Sequence, residues 1–326
     1  MKLNYFYRQT KKIKYYLNKL EVLRQVINIL PQSEAIIKNL RRQSLLKSSL
    51  YSARIEGNRL KLEDISKTSR SKEKLEISNI LKAAEWLFST QAPKKLNSGV
   101  ILRLHKFVLT GISSGIGTFR TEPSAIFNQA GVAIYLAPPV SEISALLKRF
   151  INKINKSKDP GPVKAALTHF AFEKIHPFLD GNGRVGRLLS LFVLKNSGFG
   201  FRGLVTLEEY LDKNRQSYYD FLLANRKDIT DFVDFFLEAL YVQAQKAIRQ
   251  TEETKASEPE NLLLPRRREI LEIIKDHKMV SFDFIRRRFI AVPESSLHYD
   301  LKQLIKSGFV IKLGSTRGVN YSLKNF

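Results

Sequence analysis

Twelve consecutive residues, His176 to Arg187, read His-Pro-Phe-Leu-Asp-Gly-Asn-Gly-Arg-Val-Gly-Arg. His176 titrates near neutrality and can accept a proton from an attacking hydroxyl. Asp180 is a hard oxygen donor of the kind that shares Mg2+ with phosphates. Arg184 and Arg187 lie three residues apart, on one helix face, so both can reach a polyphosphate. Together these groups make a phosphate site with a proton acceptor beside it, the equipment of phosphoryl or nucleotidyl transfer.

The flanking pattern says how the chain holds them. Residues 163–175 (VKAALTHFAFEKI) place apolar side chains at helical spacing and stop before Pro177, whose ring disfavours a helical residue ahead of it. A second helix is expected from about Arg184, where RVGRLLSLFVLK resumes the period, and Gly198 can close it. His176 to Gly183 is then a loop between two helices. Gly181 and Gly183 free the backbone around Asn182, so successive N–H groups can converge just ahead of a helix N-terminus, where unpaired amides and the helix dipole attract anions.

Singly, a histidine before proline, a Gly-Asn-Gly triplet and an arginine pair are ordinarily structural. In this order they match every specified position of HPFx(D/E)GNGRxxR, and the chain thereby resembles the Fic (filamentation induced by cAMP) family. The resemblance implies a Mg2+-dependent nucleotidyltransferase that moves AMP from ATP to a Ser, Thr or Tyr hydroxyl of a target protein. In that role His176 is the general base and Asp180 holds Mg2+ against the phosphates. The amides around Gly181, Asn182 and Gly183 cradle them, Arg184 and Arg187 hold the outer ones, and Phe178 anchors the loop. Positioning and charge neutralisation would carry most of the rate.

A second likeness lies upstream. Ser52-Ala-Arg-Ile-Glu56-Gly57 ends an amphipathic helix, with Gly57 as its stop. Beside the His176 loop it resembles the inhibitory motif (S/T)xxxE(G/N) of Fic proteins, which implies that Glu56 pairs with Arg187 in place of the γ-phosphate, a competition of two anions for one guanidinium. A hydrolase that removes AMP at the same site, with Glu56 positioning a water, is the alternative within the family.

The rest of the chain is read as mainly α: a helical N-terminal region (1–95), an all-helical core (96–250) carrying a short β-hairpin, a polar linker (251–261) and a small α+β unit (262–326). Residues 15–30, 36–55, 60–87 and 98–110 carry helical patterns; His105, in the last of these, is expected to be a core histidine. After Gly117-Thr-Phe-Arg120, two short β-prone runs about Ala125–Phe127 and 132–136 enclose a glycine turn. This hairpin is either structural or, by resemblance, the Fic flap that registers a target segment by main-chain pairing. Residues 207–225 and 228–249 are expected as two helices. Tyr219 and Asn225 are candidates, on family likeness, for the adenine pocket. The C-terminal unit, three helical runs (266–277, 281–289, 294–307) and a hairpin, resembles a winged helix. Ser295, Ser296, Tyr299 and Lys302 would lie on its third helix and Arg317 on the wing, facing DNA or a protein; a DNA-binding regulator is the reading from outside enzymology.

A formal net charge of +24 favours acidic partners, nucleic acid included, and is equally a solubility feature. The chain has no cysteine, which excludes disulfides and thiolate metal sites. His169, His277 and His298 have no ligand partners at metal spacing. The basic N-terminus has no continuous apolar core, and no stretch approaches a membrane span, so a cytoplasmic location is expected. The expected partners are a target protein, a ligand of the winged helix and a second copy of the chain as homodimer, with no membrane.

Overall fold

A computed structural model describes residues 4–30, 34–65, 71–127, 133–224, 226–256, 263–314 and 318–324. The architecture is mainly α, as the periodicities require. In chain order come α1 (Lys11–Asn28), α2 (Glu34–Ile55), α3 (Leu62–Ile65), α4 (Lys72–Leu87), α5 (Ser98–Leu109), β1 (Ala125–Phe127), β2 (Ala133–Leu136), α6 (Val140–Lys156), α7 (Gly161–Ile175) and α8 (Asn182–Asn196). There follow α9 (Leu207–Lys213), α10 (Arg215–Leu223), α11 (Thr230–Ala256), α12 (Pro265–His277), β3 (Met279–Ser281), α13 (Phe282–Arg288), α14 (Glu294–Lys306), β4 (Val310–Leu313) and β5 (Asn320–Leu323).

The buried apolar side chains form two clusters. One runs from Ile13 to Ala247, the other from Leu263 to Tyr321. At the centre of the first, α7 and α8 pack against each other along their length. Both are buried on nearly every face: α7 is apolar on most sides, and α8 buries Asn182, Arg184, Arg187 and Ser190 together with its apolar side chains. Around them α2 lies against α4 and α9, and α1 against α11. The end of α2 is thereby brought onto α8.

Two short sheets complete the fold. β1 and β2 pair antiparallel, Ala125 opposite Leu136 and Ile126 opposite Tyr135. In the C-terminal unit three antiparallel strands run in the order β3-β5-β4 beside α12 to α14.

Four expectations need correction. The helix expected over 207–225 is two, broken at Asn214 (φ −114°, ψ 36°), whose side-chain amide bonds the Tyr210 carbonyl at 2.9 Å and so competes with the helical ladder. Residues 251–256, expected as the start of a linker, belong instead to α11, which continues to Ala256; TEETKA is polar but made largely of residues that tolerate a helix. A strand, β3, precedes α13 and pairs with β5, where none was expected. The second helix of the central pair starts at Asn182 rather than Arg184, because Gly181 at φ +82° turns the chain into it and its carbonyl already accepts from Val185 N at 3.0 Å. The hairpin turn at 128–131 lies outside the described residues.

Candidate active site

The loop between α7 and α8 is tied from within. His176 ends α7 in the left-handed conformation (φ 47°, ψ 59°), its N–H on the Phe172 carbonyl at 3.0 Å. Asn182 clamps Phe178 in both directions: its Oδ1 accepts from Phe178 N at 2.9 Å and its Nδ2 donates to Phe178 O at 2.8 Å. The Asn182 side chain therefore shapes the loop. Phe178 is fully buried, and the ring of His105 stacks on it at 3.7 Å with an interplanar angle of 2°. His105 Nδ1 accepts from Gly117 N at 2.9 Å, which leaves Nε2–H to donate to the Asp180 carbonyl at 3.2 Å. The core histidine thus holds the loop on two sides.

Gly181 stands at the cap of α8, and no side chain caps that helix. Its first amides face the space ahead of the helix, a ready anion site. An anion is already beside it. A Cβ built on Gly183 would lie 2.3 Å from Glu56 Oε1, so only glycine admits that carboxylate. Glu56 Oε1 in turn accepts from Arg187 Nη2 at 2.8 Å, while Ser52 takes Arg187 Nε on its hydroxyl and Nη2 on its carbonyl, both at 2.9 Å. Arg187 is 2% exposed, enclosed by the end of α2.

Arg184 is held in the same manner. Its Nη2 donates to Asp180 Oδ1 and its Nη1 to Glu76 Oε1 of α4, each at 2.6 Å. Asn58, just past the stop at Gly57 (φ +101°), joins the two latches by donating to Glu76 Oε2 at 2.8 Å. Each motif arginine is therefore paired with a carboxylate from the N-terminal helices. Glu76 was invisible in the sequence, where it is one more acid on an amphipathic helix.

The chemistry available to His176 follows from its surroundings. Burial lowers its pKa, Arg120 pushes the same way, and the Glu173 carbonyl and Glu56 oppose them; the imidazole is neutral and basic at pH 7. Deeper in, burial, aided by Glu56, raises Glu173 to about 8, and its Oε1 is buried with no hydrogen-bond partner among the described residues. His169 is lowered to about 3 by burial, and its Nε2 meets the Tyr218 hydroxyl at 2.7 Å, which accepts from Arg187 Nη1 at 3.4 Å. A buried polar chain thus runs from α7 through α10 to Arg187. Its members read as core residues by type, and only their placement links them.

Asp180 offers a half-exposed carboxylate beside these groups, with Oδ1 also accepting from Gly181 N at 2.6 Å. Among the described residues no cluster of three or more His, Cys, Asp or Glu could hold a metal alone. A lone hard oxygen next to an anion site fits an ion whose other ligands are phosphates and water.

The remaining candidates are dispersed. Tyr219 is near the site, but its hydroxyl donates to the Ile55 carbonyl at 2.9 Å, closing the end of α2. Asn225 and Arg317 lie outside the described residues. Ser295, Tyr299 and Lys302 are exposed on α14 and Ser296 is half-buried, all far along the chain from the loop. No helix among the described residues is long and apolar enough to cross a membrane.

Residues 95–194 match the sequence model of the Fic/DOC family. Proteins named protein adenylyltransferase Fic from Drosophila ananassae and Drosophila melanogaster are 29% identical over 238 residues, a match covering 68% of this chain and 45% and 46% of theirs. The matched part is thus about half the length of those relatives. A crystal structure of a Fic family protein from Desulfovibrio desulfuricans G20 has the same fold over 98% of both chains, with a TM-score of 0.69 at 19% identity. Fic-1 from C. elegans aligns over 74% of this chain and 73% of its own, with a TM-score of 0.62 at 24% identity. Residues 95–194, which contain the loop from His176 to Arg187, are a Fic/DOC domain.

Proposed function

We propose that the chain is a protein adenylyltransferase whose site is latched shut by its own N-terminal helices. The observation that carries this reading is the Glu56 carboxylate, which sits on Arg187 and against Gly183, where an outer phosphate of a nucleotide would be held. The names of the Drosophila relatives point to the same reaction.

In the reaction, ATP brings its outer phosphates to Arg184 and Arg187 and to the first amides of α8, displacing Glu56 from Arg187 and Glu76 from Arg184. The buried guanidiniums are pre-oriented, so little reorganisation is left for the reacting state. His176, neutral at pH 7, takes the proton of a target Ser, Thr or Tyr hydroxyl. That oxygen bonds the α-phosphorus, the bond from the α-phosphorus to the bridging oxygen breaks, and pyrophosphate departs, leaving AMP esterified to the target. Asp180 would hold Mg2+, which supplies charge neutralisation on the phosphates. The β1–β2 hairpin would register the target segment, and Tyr219 and α10 would border the base. Residues 1–95 act as the latch, 96–250 as the core and 262–326 as an appended winged helix.

A second reading rests on the same carboxylate. Glu56 keeps 29% of its side-chain surface exposed beside the anion site and could orient a water for removal of AMP. Incubation with Mg2+ and α-labelled ATP tests the first reading: Glu56→Gly should raise label on protein, and adding His176→Ala should abolish it. Glu56→Gly without label, together with wild-type release of AMP from a modified protein, would favour the second.

A further inference from the structure

Arg120 is 3% exposed, yet among the described residues it makes no ion pair. Its polar groups all meet backbone. The guanidinium donates from Nε to the carbonyl of His176 at 2.9 Å, from Nη1 to the carbonyl of Glu122 at 2.9 Å and from Nη2 to the carbonyl of Pro138; its own amide donates to Pro177 O at 2.9 Å. A buried cation answered only by neutral carbonyls is costly, and an apolar side chain could fill the same space. What an apolar residue, or a lysine, could not do is hold three carbonyls in one plane, which the rigid guanidinium fork does.

The three carbonyls belong to different parts of the domain. Glu122 precedes β1 and Pro138 follows β2, so two arms of the fork grip both stems of the hairpin, whose closure Ala137 N completes on Ser124 O at 3.0 Å. The third arm grips the residue that carries the base. Higher up, the Tyr135 hydroxyl of β2 donates to the Lys174 carbonyl in the last turn of α7. Among the described residues β2 pairs only with β1, so its other edge is free for an added strand, and Leu136 beside it is 74% exposed.

We infer that Arg120 is a positioning residue: it locks both stems of the hairpin to the backbone of His176, so that a hydroxyl on a strand added to the hairpin stays in register with the imidazole. This rests on reading the hairpin as the flap of an adenylyl transfer site. A displacement of about 1 Å between reacting groups can cost roughly a hundredfold in rate, so the lock matters most for a protein acceptor and least for water, which needs no strand.

The test uses the full chain carrying Glu56→Gly, alone and with Arg120→Lys or Arg120→Met. Hydrogen exchange of the amides in two segments, the hairpin (121–127 and 133–138) and the loop (176–182), reads the lock, and α-labelled ATP reads its consequence, as label on protein and as free AMP. With Arg120→Lys, exchange in both segments should accelerate together, about tenfold, while α7 and α8 stay protected. Label on protein should fall about a hundredfold and free AMP about threefold or less. Acceleration in one segment only, or label and AMP falling in the same proportion, would overturn the lock. If Arg120→Met does not fold, Arg120→Lys decides. Should the parent show neither His176-dependent label nor AMP, the transfer reading fails and the exchange data alone decide whether the link exists.

Discussion

The α7–α8 neighbourhood and the C-terminal unit bury charge in opposite ways. Among the described residues of the C-terminal unit the buried polar group is Asp300, 2% exposed and answered by Arg266 and Arg267, the latter at 2.9 Å. Around α7 and α8 lie His169, Asn182, Arg184 and Arg187, and among the described residues Glu173 Oε1 and Arg184 Nε have no hydrogen-bond partner. A satisfied buried charge serves the fold, whereas unsatisfied buried groups cost stability and persist where a ligand or a reaction needs them. The difference separates a closed ion cluster from a neighbourhood in which the arginines are held by carboxylates of other helices while nearby buried atoms stay unpaired.

The sharpest way to break this contrast is to remove one group from each region. His176→Ala in the Glu56→Gly background should lose about 10²- to 10⁴-fold in adenylyl transfer, the usual worth of a general base, with circular dichroism and melting unchanged. Asp300→Ala should do the converse: unfolding of the C-terminal unit, followed by denaturant titration, is expected to be easier by about 1.5–3 kcal/mol, with label on protein retained. If Asp300→Ala also abolished labelling, the two regions would not be separable in this way.

Acid and base should part the buried groups. Glu173, raised to about 8, stabilises the fold in full below its ordinary value of 4.5 and progressively loses that contribution as pH rises to about 8. His169, lowered to about 3, contributes above 6.5 and loses its contribution as pH falls towards 3. Glu173→Gln should therefore gain stability relative to the parent between pH 4.5 and about 8, by up to about 1.4 kcal/mol per unit, in unfolding curves taken across that range. A flat difference would mean that Glu173 is ionised in the fold. The smallest expected effect is that of Glu76→Gln. Arg184 keeps Asp180, so freeing it from Glu76 should tighten ATP by about 1 kcal/mol, roughly fivefold, measured by calorimetry.

Much of this is legible in the sequence alone. The twelve-residue string and the Ser52-to-Glu56 spacing are local patterns, and local patterns survive in sequence: a turn of helix puts Ser52 and Glu56 on one face, and the structure brings that face to Arg187. Helix types were legible too, since period and length decide them. What sequence hid depends on long-range contact. Glu76 reaches Arg184 across 108 residues and Arg120 reaches His176 across 56, and nothing in the local pattern of either residue announces its partner. The break at Asn214 and the extension of α11 to Ala256 were missed for a different reason, because side-chain competition with the backbone and weak propensity decide boundaries by small margins.

In the proposed latch, Glu56 and the outer phosphates of ATP compete for Arg187. Calorimetric titration of ATP and of AMP, each with Mg2+, into the wild type and Glu56→Gly addresses it without knowledge of any target. The account predicts that Glu56→Gly tightens ATP about tenfold, the worth of one charge-assisted contact, and leaves AMP within about twofold. Equal tightening of both nucleotides, or none of either, would contradict it.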